Sequence, residues 1–339
     1  MKILVTGYRG YIGAYLTELL KEKDHFVTGV DLCLYEESKL EDFVEPDQKL
    51  HKDFRNLSLK ELEGHDAVMH LAAISNDPMG DLNPQLTYDV NLYGSVNLAK
   101  KAKEAGVGRF LFSGSCSVYG KGDKLDLEET DPVNPLTAYA KSKIETEKEV
   151  SQLADEHFTP VFLRNSTAYG YSPMLRIDLV VNNLLGSVHA YNEIRIKSDG
   201  TPWRPLIHAK DIARAFVALN EASKEKVHNK IINIGGNTEN YQVKDIADQI
   251  KALVPDSKIV FTNEVGDDPR NYRVKFDFLN QLLPDFKLEY NLDKGMKELN
   301  EKYILNHFGK VDFEGDKFVR LRLLKNKLNQ LNPSTHEIY

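Results

Sequence analysis

A serine-rich segment and a Tyr-x-x-x-Lys pair carry the side chains of this sequence that are best suited to acid–base chemistry. The segment Ser113-Gly-Ser-Cys-Ser-Val-Tyr-Gly120 ends a predicted strand, and Tyr139 and Lys143 lie in the helix predicted after it. Residues four apart share one helical face, so the phenol and the ammonium can meet at one point. A free tyrosine titrates near pH ~10, and a neighbouring ammonium lowers that pKa. With a serine hydroxyl on the same oxygen, the trio can remove a proton from an alcohol or a sugar hydroxyl.

Three glycines spaced by three residues, Gly7, Gly10 and Gly13, predict a phosphate-binding loop. They follow the apolar run 2–6, which is typical of a buried strand, and precede apolar residues at helical spacing over 11–20. Glycine lets the backbone approach a pyrophosphate, and a helix N-terminus offers free N–H groups with a partial positive charge. This arrangement predicts a dinucleotide cofactor that exchanges hydride with the substrate.

The residues beside this loop bear on which nicotinamide cofactor binds. A second predicted strand, 26–30, ends in Asp31, which follows Gly13 by 18 residues; the acidic residue of such sites is expected roughly 20 residues on. Its carboxylate can accept hydrogen bonds from a ribose diol and repels a 2′-phosphate. Arg9 could instead pair with a 2′-phosphate, lie over the adenine or a phosphate, or remain solvated. We give Asp31 more weight and predict NAD rather than NADP.

The elements that must position these residues alternate along the chain. Such alternation predicts an α/β fold, a doubly wound parallel (Rossmann) sheet with helices on both faces and ligands at the carboxyl ends of its strands. The predicted strands are 2–6, 26–30, 66–71, 109–113, 160–164 and 231–234, and the predicted helices are 11–20, 86–105, 138–154 and 211–221.

The pattern loosens after about residue 165, which predicts a second, interleaved lobe. We predict an NAD-binding Rossmann domain in 1–165 plus 206–235, a smaller substrate-binding lobe in 166–205 plus 236–310, and a helical C-terminal tail in 311–339. Within the tail, 317–331 is a basic, leucine-containing helix candidate. Its leucines are expected to pack on the body of the protein or on a neighbouring subunit.

Composition narrows the class of protein. The 339 residues carry a net charge of −7 with acidic and basic residues interleaved, which argues against nucleic acid or an anionic membrane as the main partner. The two cysteines, Cys33 and Cys116, are far apart and lack metal-ligand spacing, so we predict no metal site and no disulfide. The first apolar run is too short for a signal peptide or a membrane span. We therefore expect a soluble, cytoplasmic protein.

Together these motifs resemble the extended short-chain dehydrogenases/reductases of the NAD-dependent epimerase/dehydratase family, which act mainly on nucleotide sugars. The resemblance covers roughly residues 1 to 300 and implies that Ser115, Tyr139 and Lys143 are catalytic. Tyr139 would be the base and acid, and Lys143 would hold the nicotinamide ribose. The matching pieces are Gly7-x-x-Gly10-x-x-Gly13, Asp31, Asp53-Phe54, His70-Leu-Ala-Ala73, Asn91, the serine-rich segment and Tyr139-x-x-x-Lys143.

The resemblance also implies two sets of binding residues. The cofactor set is Gly7, Arg9, Gly10, Tyr11, Ile12, Gly13, Asp31, Asp53, Phe54, Leu71, Ala72, Ala73, Asn91, Ser113, Tyr139 and Lys143. Within it, Asp53 and Phe54 would flank the adenine. The substrate set is Ser75, Ser115, Asn165, Asn182 (or Asn183), Arg204 and Arg270. Arg204 and Arg270 would clamp the diphosphate, since guanidinium binds phosphate oxygens bidentately.

One departure from the family pattern separates the possible reactions. Family members that dehydrate sugars place Asp and Glu directly after the catalytic serine, where this chain has Cys116 and Ser117. The resemblance therefore implies an epimerase of a nucleotide-diphosphate sugar, which oxidises a ring hydroxyl to a transient ketone and returns the hydride. A 4-ketoreductase or dehydrogenase with the same trio is the alternative, and a non-catalytic NAD-binding scaffold is a more remote one. Relatives commonly pair through two helices, here 86–105 and 138–154, so we expect a homodimer.

Overall fold

Strands and helices alternate along most of the chain. The computed structural model describes residues 1–121, 125–262 and 270–330. The strands are β1 (Lys2–Thr6), β2 (Phe26–Asp31), β3 (Gln48–His51), β4 (Ala67–His70), β5 (Arg109–Ser115), β6 (Thr159–Asn165), β7 (Thr167–Tyr169), β8 (Glu193–Ile196), β9 (Trp203–His208), β10 (Lys230–Ile234), β11 (Asn240–Gln242) and β12 (Lys258–Phe261).

Most helices follow directly after a strand or a short loop. They are α1 (Gly13–Glu22), α2 (Leu59–Leu62), α3 (Asp77–Leu82), α4 (Pro84–Thr87), α5 (Ser95–Glu104), α6 (Ala138–Ser151), α7 (Val180–Tyr191), α8 (Ala209–Glu221), α9 (Lys224–Val227), α10 (Val243–Leu253), α11 (Asp277–Leu282), α12 (Leu292–Leu305), α13 (Lys310–Glu314) and α14 (Arg320–Gln330). Short 3₁₀ turns cover Glu36–Ser38, Phe54–Asn56 and Cys116–Tyr119, and a π-helical segment covers Tyr88–Gly94.

A parallel sheet forms the centre of the molecule, in the order β10-β6-β5-β4-β1-β2-β3. Every neighbouring pair in it is parallel. Two smaller sheets, β11-β9-β7 and β12-β8, come from later parts of the chain. The predicted α/β doubly wound fold is confirmed. The division into lobes at the stated residue boundaries stays a prediction.

The central strand β1 shows why this sheet is stable. Its residues Ile3, Leu4 and Val5 are fully buried, because helices cover both faces of the sheet. Ile3 and Val5 pack into one hydrophobic cluster, while Leu4 packs into another on the opposite face. This alternation follows from the two-residue period of a strand.

Two of the differences from the sequence prediction concern β3 and the helix predicted over 86–105. The edge strand β3 was not predicted; its Gln, Lys and His residues are exposed and lack an apolar pattern. The single helix predicted over 86–105 is instead α4 and α5 with the π-helical segment Tyr88–Gly94 between them. In that segment Asn91 turns inward to bond the backbone of Ile74, and π-helical turns often occur at functional sites.

The tail predicted over 311–339 contains α14, and its leucines Leu323 and Leu324 are buried against the body of the chain. Leu331, the last residue of the helix predicted there, lies outside the described residues, as does the remainder of the tail. Within the described ranges, no helix is both long enough and apolar enough to cross a membrane.

Candidate active site

One cavity lies at the carboxyl ends of the central strands, where parallel α/β sheets bind ligands. Its wall includes the loops after β1, β2, β4 and β5, the end of β6 and one face of α6. Residues from later parts of the chain complete it, among them Arg176, Arg270 and Arg320. The topology therefore brings segments far apart in sequence to one place.

The glycine loop packs so tightly that side chains would not fit. A Cβ on Gly13 would lie 2.0 Å from the carbonyl oxygen of Gly7, and one on Gly7, whose φ is +76°, would lie 2.8 Å from the backbone nitrogen of Ala72. Helix α1 then begins at Gly13 with Ile12 at its N-cap and no side chain bonded there. Tyr11, Ile12 and Gly13, at the start of this helix, line the cavity.

Asp31 and Arg9 form the adenosine end of the predicted cofactor site. The Asp31 carboxylate accepts hydrogen bonds from the backbone N–H groups of Arg9 (3.1 Å) and Cys33 (2.7 Å), and burial raises the pKa of Asp31. The Arg9 guanidinium lies 3.1 Å from Glu36 and 3.8 Å from Glu45. Three carboxylates thus surround the place where a 2′-phosphate would bind, which favours NAD over NADP.

Asp53 and Phe54 also lie on the cavity wall. Asp53 accepts hydrogen bonds from the Arg55 backbone N–H (2.9 Å) and guanidinium, so the pair is neutral overall. Phe54 packs edge-on against His70, with ring centroids 4.7 Å apart. Burial lowers the pKa of His70 to about 3, so its ring is neutral and serves to tie β4 to its neighbours.

The predicted catalytic trio converges in this cavity, which Ser115, Tyr139 and Lys143 all line. Ser115 ends β5 and its hydroxyl accepts a hydrogen bond from the Ser117 N–H at 3.1 Å. Lys143 is only 3 % exposed, and its ammonium donates to the Ser113 carbonyl at 2.7 Å. The same ammonium lies 5.7 Å from the centroid of the Tyr139 ring.

The protonation of the trio is set mainly by burial. Burial, and next the charge of Asp77, raise the pKa of Tyr139 to about 12, although a hydrogen bond with Ser115 and the charges of Arg176 and Arg270 lower it in part. Burial lowers the pKa of Lys143 to about 7. The neutral forms of both side chains are favoured, so a positive charge beside Tyr139 is needed to produce the phenolate.

The far end of the cavity is polar and basic. Arg270 donates to Asp77 at 2.7 Å, and Asp77 also accepts a hydrogen bond from Thr137 at 2.5 Å. Asn165 donates to the Ser113 hydroxyl at 3.1 Å, while its own side-chain oxygen is buried and has no hydrogen-bond partner within the described part of the chain. Ser75 lies on the same wall. These groups can bind an anionic, hydroxyl-rich ligand.

Three predicted binding residues do not line the cavity. Asn91 forms two hydrogen bonds with the Ile74 backbone, of 2.9 and 3.0 Å. Asn182 is fully buried, and its amide bonds Gly170 and other backbone groups. Arg204 donates to the Arg270 carbonyl at 2.6 Å, so it positions that segment. Their assignment as binding residues stays a prediction.

Sequence reasoning missed several wall residues, notably Arg176, Asp77 and Arg320. Arg176 pairs with Asp178 two residues on, at 2.9 Å. No spacing rule marks these residues, since tertiary contacts alone bring them to the cavity. The Asn-Asp-Pro sequence at 76–78, directly after the loop of β4, was the one local signal for Asp77, because Asn76 caps α3 there.

Cys116, at the position that carries an acid in dehydratases, is buried away from solvent. Its thiol donates to the Arg164 carbonyl at 3.1 Å, and burial raises its pKa. It therefore packs as a small core residue and cannot protonate a leaving hydroxyl near neutral pH.

The cavity residues fit an NAD molecule. The uncapped first turn of α1 suits a pyrophosphate, Asp31 suits a ribose diol, and the trio lies at the opposite end, where a nicotinamide ring would meet a substrate hydroxyl. The unpartnered oxygen of Asn165 offers a further acceptor beside that end.

Comparison with known proteins finds a matching family model and similar proteins. Residues 3–235 match the model of the NAD dependent epimerase/dehydratase family. A "Probable UDP-glucuronate 4-epimerase" of Rhizobium meliloti is 24% identical over 91% of this chain and 98% of its own length. A "dTDP-D-glucose 4,6-dehydratase" of Mus musculus is 26% identical over 90% of this chain and 89% of its own length.

Solved structures share the fold as well. A UDP-glucuronic acid 4-epimerase from Bacillus cereus, in complex with UDP-glucuronic acid and NAD, superposes with a TM-score of 0.76. It is 26% identical in sequence, and the alignment covers 90% of this chain and 99% of that one.

Proposed function

Because the chain belongs to the NAD-dependent epimerase/dehydratase family, we propose that it is an NAD-dependent epimerase of nucleotide-diphosphate sugars. The observation that carries the proposal is that Ser115, Tyr139 and Lys143 line one cavity together with the glycine loop and Asp31. Epimerases, including UDP-glucuronate 4-epimerases, are among the relatives in both comparisons.

Each member of the trio has a distinct task in this reaction. When bound, NAD accepts a hydride from a ring carbon of the sugar and later returns it. Tyr139 takes the proton of the hydroxyl on that carbon and gives it back, while Ser115 binds the same oxygen. Lys143, fixed on the Ser113 carbonyl, holds its ammonium close to the phenol and to the cofactor ribose.

The charges at the far end of the cavity support binding of the diphosphate group of a nucleotide-sugar substrate. Arg270 lies on the cavity wall, and its pairing with Asp77 fixes its direction. Guanidinium groups bind diphosphate oxygens bidentately. Dehydration is less well supported, because Cys116 is a buried thiol bonded to a backbone carbonyl.

A panel assay tests the proposal. The purified protein is incubated with UDP-glucose, UDP-glucuronic acid and other nucleotide sugars in deuterated water, and the products are identified by NMR while NADH is followed by absorbance. We expect inversion of one ring carbon without net NADH. Net NADH accumulation would favour the dehydrogenase alternative, and a turnover that needs added reduced cofactor would favour the ketoreductase.

Replacing the base should abolish this activity. Tyr139→Phe removes the group proposed to move the proton, so kcat should fall by about 10²- to 10⁴-fold while NAD remains bound. Tyr191→Phe is a matched control, because its hydroxyl bonds Glu314 at 2.6 Å and Tyr191 is not part of the cavity wall. Unchanged turnover in Tyr139→Phe would revive the scaffold hypothesis.

Two finer features belong to the same proposal. We propose a homodimer formed through α4–α5 and α6, where a shallow groove is lined by Leu92, Tyr93, Val96, Asn97, Lys100, Glu145 and Glu149. We also propose a cytoplasmic location, which the free thiols of Cys33 and Cys116 support, since such thiols suit a reducing compartment. Cell fractionation tests the location.

A further inference from the structure

The C-terminal segment 316–330 borders the cavity and is bonded to two separate parts of the chain. The Ser38 hydroxyl donates to the Lys317 carbonyl at 2.7 Å, and the Lys327 ammonium lies 3.1 Å from Glu37. The Ile177 N–H donates to the Phe318 carbonyl at 3.0 Å. We call this segment the strap.

The strap places Arg320 and Leu324 on the cavity wall. Arg320 is only 5 % exposed, and its Nε and Nη2 atoms have no hydrogen-bond partner among the described residues. The guanidinium stacks on Tyr35, 4.6 Å from the ring centroid. No carboxylate in the described part of the chain forms an ion pair with it. A buried, unpaired cation is costly, so the arrangement is suited to an anion.

The charges around Arg320 locate that anion along the cavity. Arg320 interacts electrostatically with Asp31, at the adenosine end, and with Arg176. Arg176 in turn interacts with Tyr11 of the glycine loop and with Tyr139. Arg320 and Arg176 together thus interact with groups of both the adenosine end and the nicotinamide end. In a dinucleotide, the pyrophosphate lies between these two ends.

We propose that the strap completes the cofactor site, with Arg320 as a guanidinium ligand of the NAD pyrophosphate, across from the N-terminus of α1. The glycine loop supplies neutral N–H donors from the sheet side, while the strap supplies a formal positive charge from the C-terminal end of the chain. Arg176, already paired with Asp178, adds a second guanidinium on the same side.

This inference rests on the proposed function, because it requires NAD to bind in this cavity. A diphosphate could also come from the sugar nucleotide. The position of Arg320 beside Tyr35 and its interaction with Asp31 favour the cofactor, since Asp31 ends β2 and Tyr35 lies in the loop that follows, while Arg270, at the far end, suits the substrate.

Calorimetric titration of full-length protein freed of cofactor tests the inference. NAD, ADP-ribose and UDP are titrated into the wild type, Arg320→Gln and the matched control Arg322→Gln. Arg322 lies on the same helix, with its guanidinium bonded to the Glu314 and Gly315 carbonyls. We expect Arg320→Gln to raise the Kd of NAD and of ADP-ribose at least tenfold, to weaken their salt dependence, and to leave UDP unchanged. Arg322→Gln should behave like the wild type.

Three results would overturn the inference. Weaker UDP binding with unchanged NAD binding would assign Arg320 to the substrate site. Unchanged Kd values for all three ligands would show that Arg320 binds none of them. A wild type that binds neither NAD nor ADP-ribose would refute the proposed function itself. If Arg320→Gln does not fold, hydrogen exchange of the wild type decides: the strap amides should become more protected when NAD or ADP-ribose is added, and no change would count against the inference.

Discussion

Tyr139 and Lys143 show how one buried site moves two pKa values in opposite directions. Desolvation penalises the charged form of each group, so it raises the pKa of Tyr139 to about 12 and lowers that of Lys143 to about 7. The hydrogen bond from Ser115 and the charges of Arg176 and Arg270 work against this for the phenol. The positively charged ring of oxidised NAD would add to them, which couples base activation to cofactor binding.

The lowered pKa of Lys143 predicts a pH-dependent stability. Between its native pKa of about 7 and its unfolded value of 10.5, the unfolded chain binds more protons than the native one, so the free energy of unfolding should rise with pH. From pH 7 to 9 the gain is at most about 3 kcal/mol, since one pKa unit is about 1.4 kcal/mol. Tyr139 does not contribute in this window, because its native and unfolded pKa values both lie higher.

Urea titrations of cofactor-free protein at several pH values measure this gain. Lys143→Met should remove it, whereas Lys141→Met, on the exposed side of α6, should retain it. A slope that persists in Lys143→Met would show that another group is responsible.

The residues of the site could be predicted from the sequence where they lie close together along the chain. Tyr139 and Lys143 are four apart, and Gly7, Gly10 and Gly13 are three apart, so one helix or one loop suffices to bring each set together. Arg176 and Arg320 lie in segments that reach the cavity only through the tertiary fold. Conversely, Asn182 and Arg204 matched a motif, but their side chains bond the backbone of neighbouring segments.

At the scale of elements, the turn from β1 into α1 requires a residue without a Cβ at position 13. The Cβ of Gly13→Ala would lie 2.0 Å from the Gly7 oxygen and 2.8 Å from the Tyr8 Cα, and both are backbone atoms that cannot move away independently. We expect this variant to lose NAD binding and about 3 kcal/mol of stability. Calorimetry and thermal unfolding measure both effects.

Gly108→Ala is the control for that substitution. It precedes β5, and the nearest atom to its added Cβ is 3.8 Å away, an ordinary contact. Its stability and NAD binding should match the wild type. Normal NAD binding by Gly13→Ala would show that the loop can rearrange and that the tight turn is not required.

The central strands could be predicted because burial on both faces makes them continuously apolar, as in β1 and β4. The exposed edge strand β3 and the π-helical segment Tyr88–Gly94 could not. The edge strand has no apolar pattern. In the π-helical segment, the Asn91 side chain accepts a hydrogen bond from the Ile74 N–H, and the periodicity of the sequence does not encode that contact.

At the scale of the whole molecule, the helices that carry chemistry also carry the proposed dimer contact. Helix α6 presents Tyr139 and Lys143 to the cavity, while its outer residues Glu145 and Glu149 line the groove shared with α5. In that groove Tyr93 is 61 % exposed. A large aromatic side chain that is exposed on a helix surface is a frequent anchor of an interface.

Tyr93→Glu should therefore produce a monomer. The new carboxylate would lie in a groove that already holds Glu145 and Glu149, and burying it in the contact would cost more than a small interface supplies. Light scattering after size-exclusion chromatography measures the mass, and NAD binding should survive, because Tyr93 is not part of the cavity wall. Leu305→Glu, at a residue that is 68 % exposed at the end of α12, is the control and should remain dimeric. A wild-type mass in Tyr93→Glu would place the subunit contact elsewhere, and a monomer in Leu305→Glu would move it to α12.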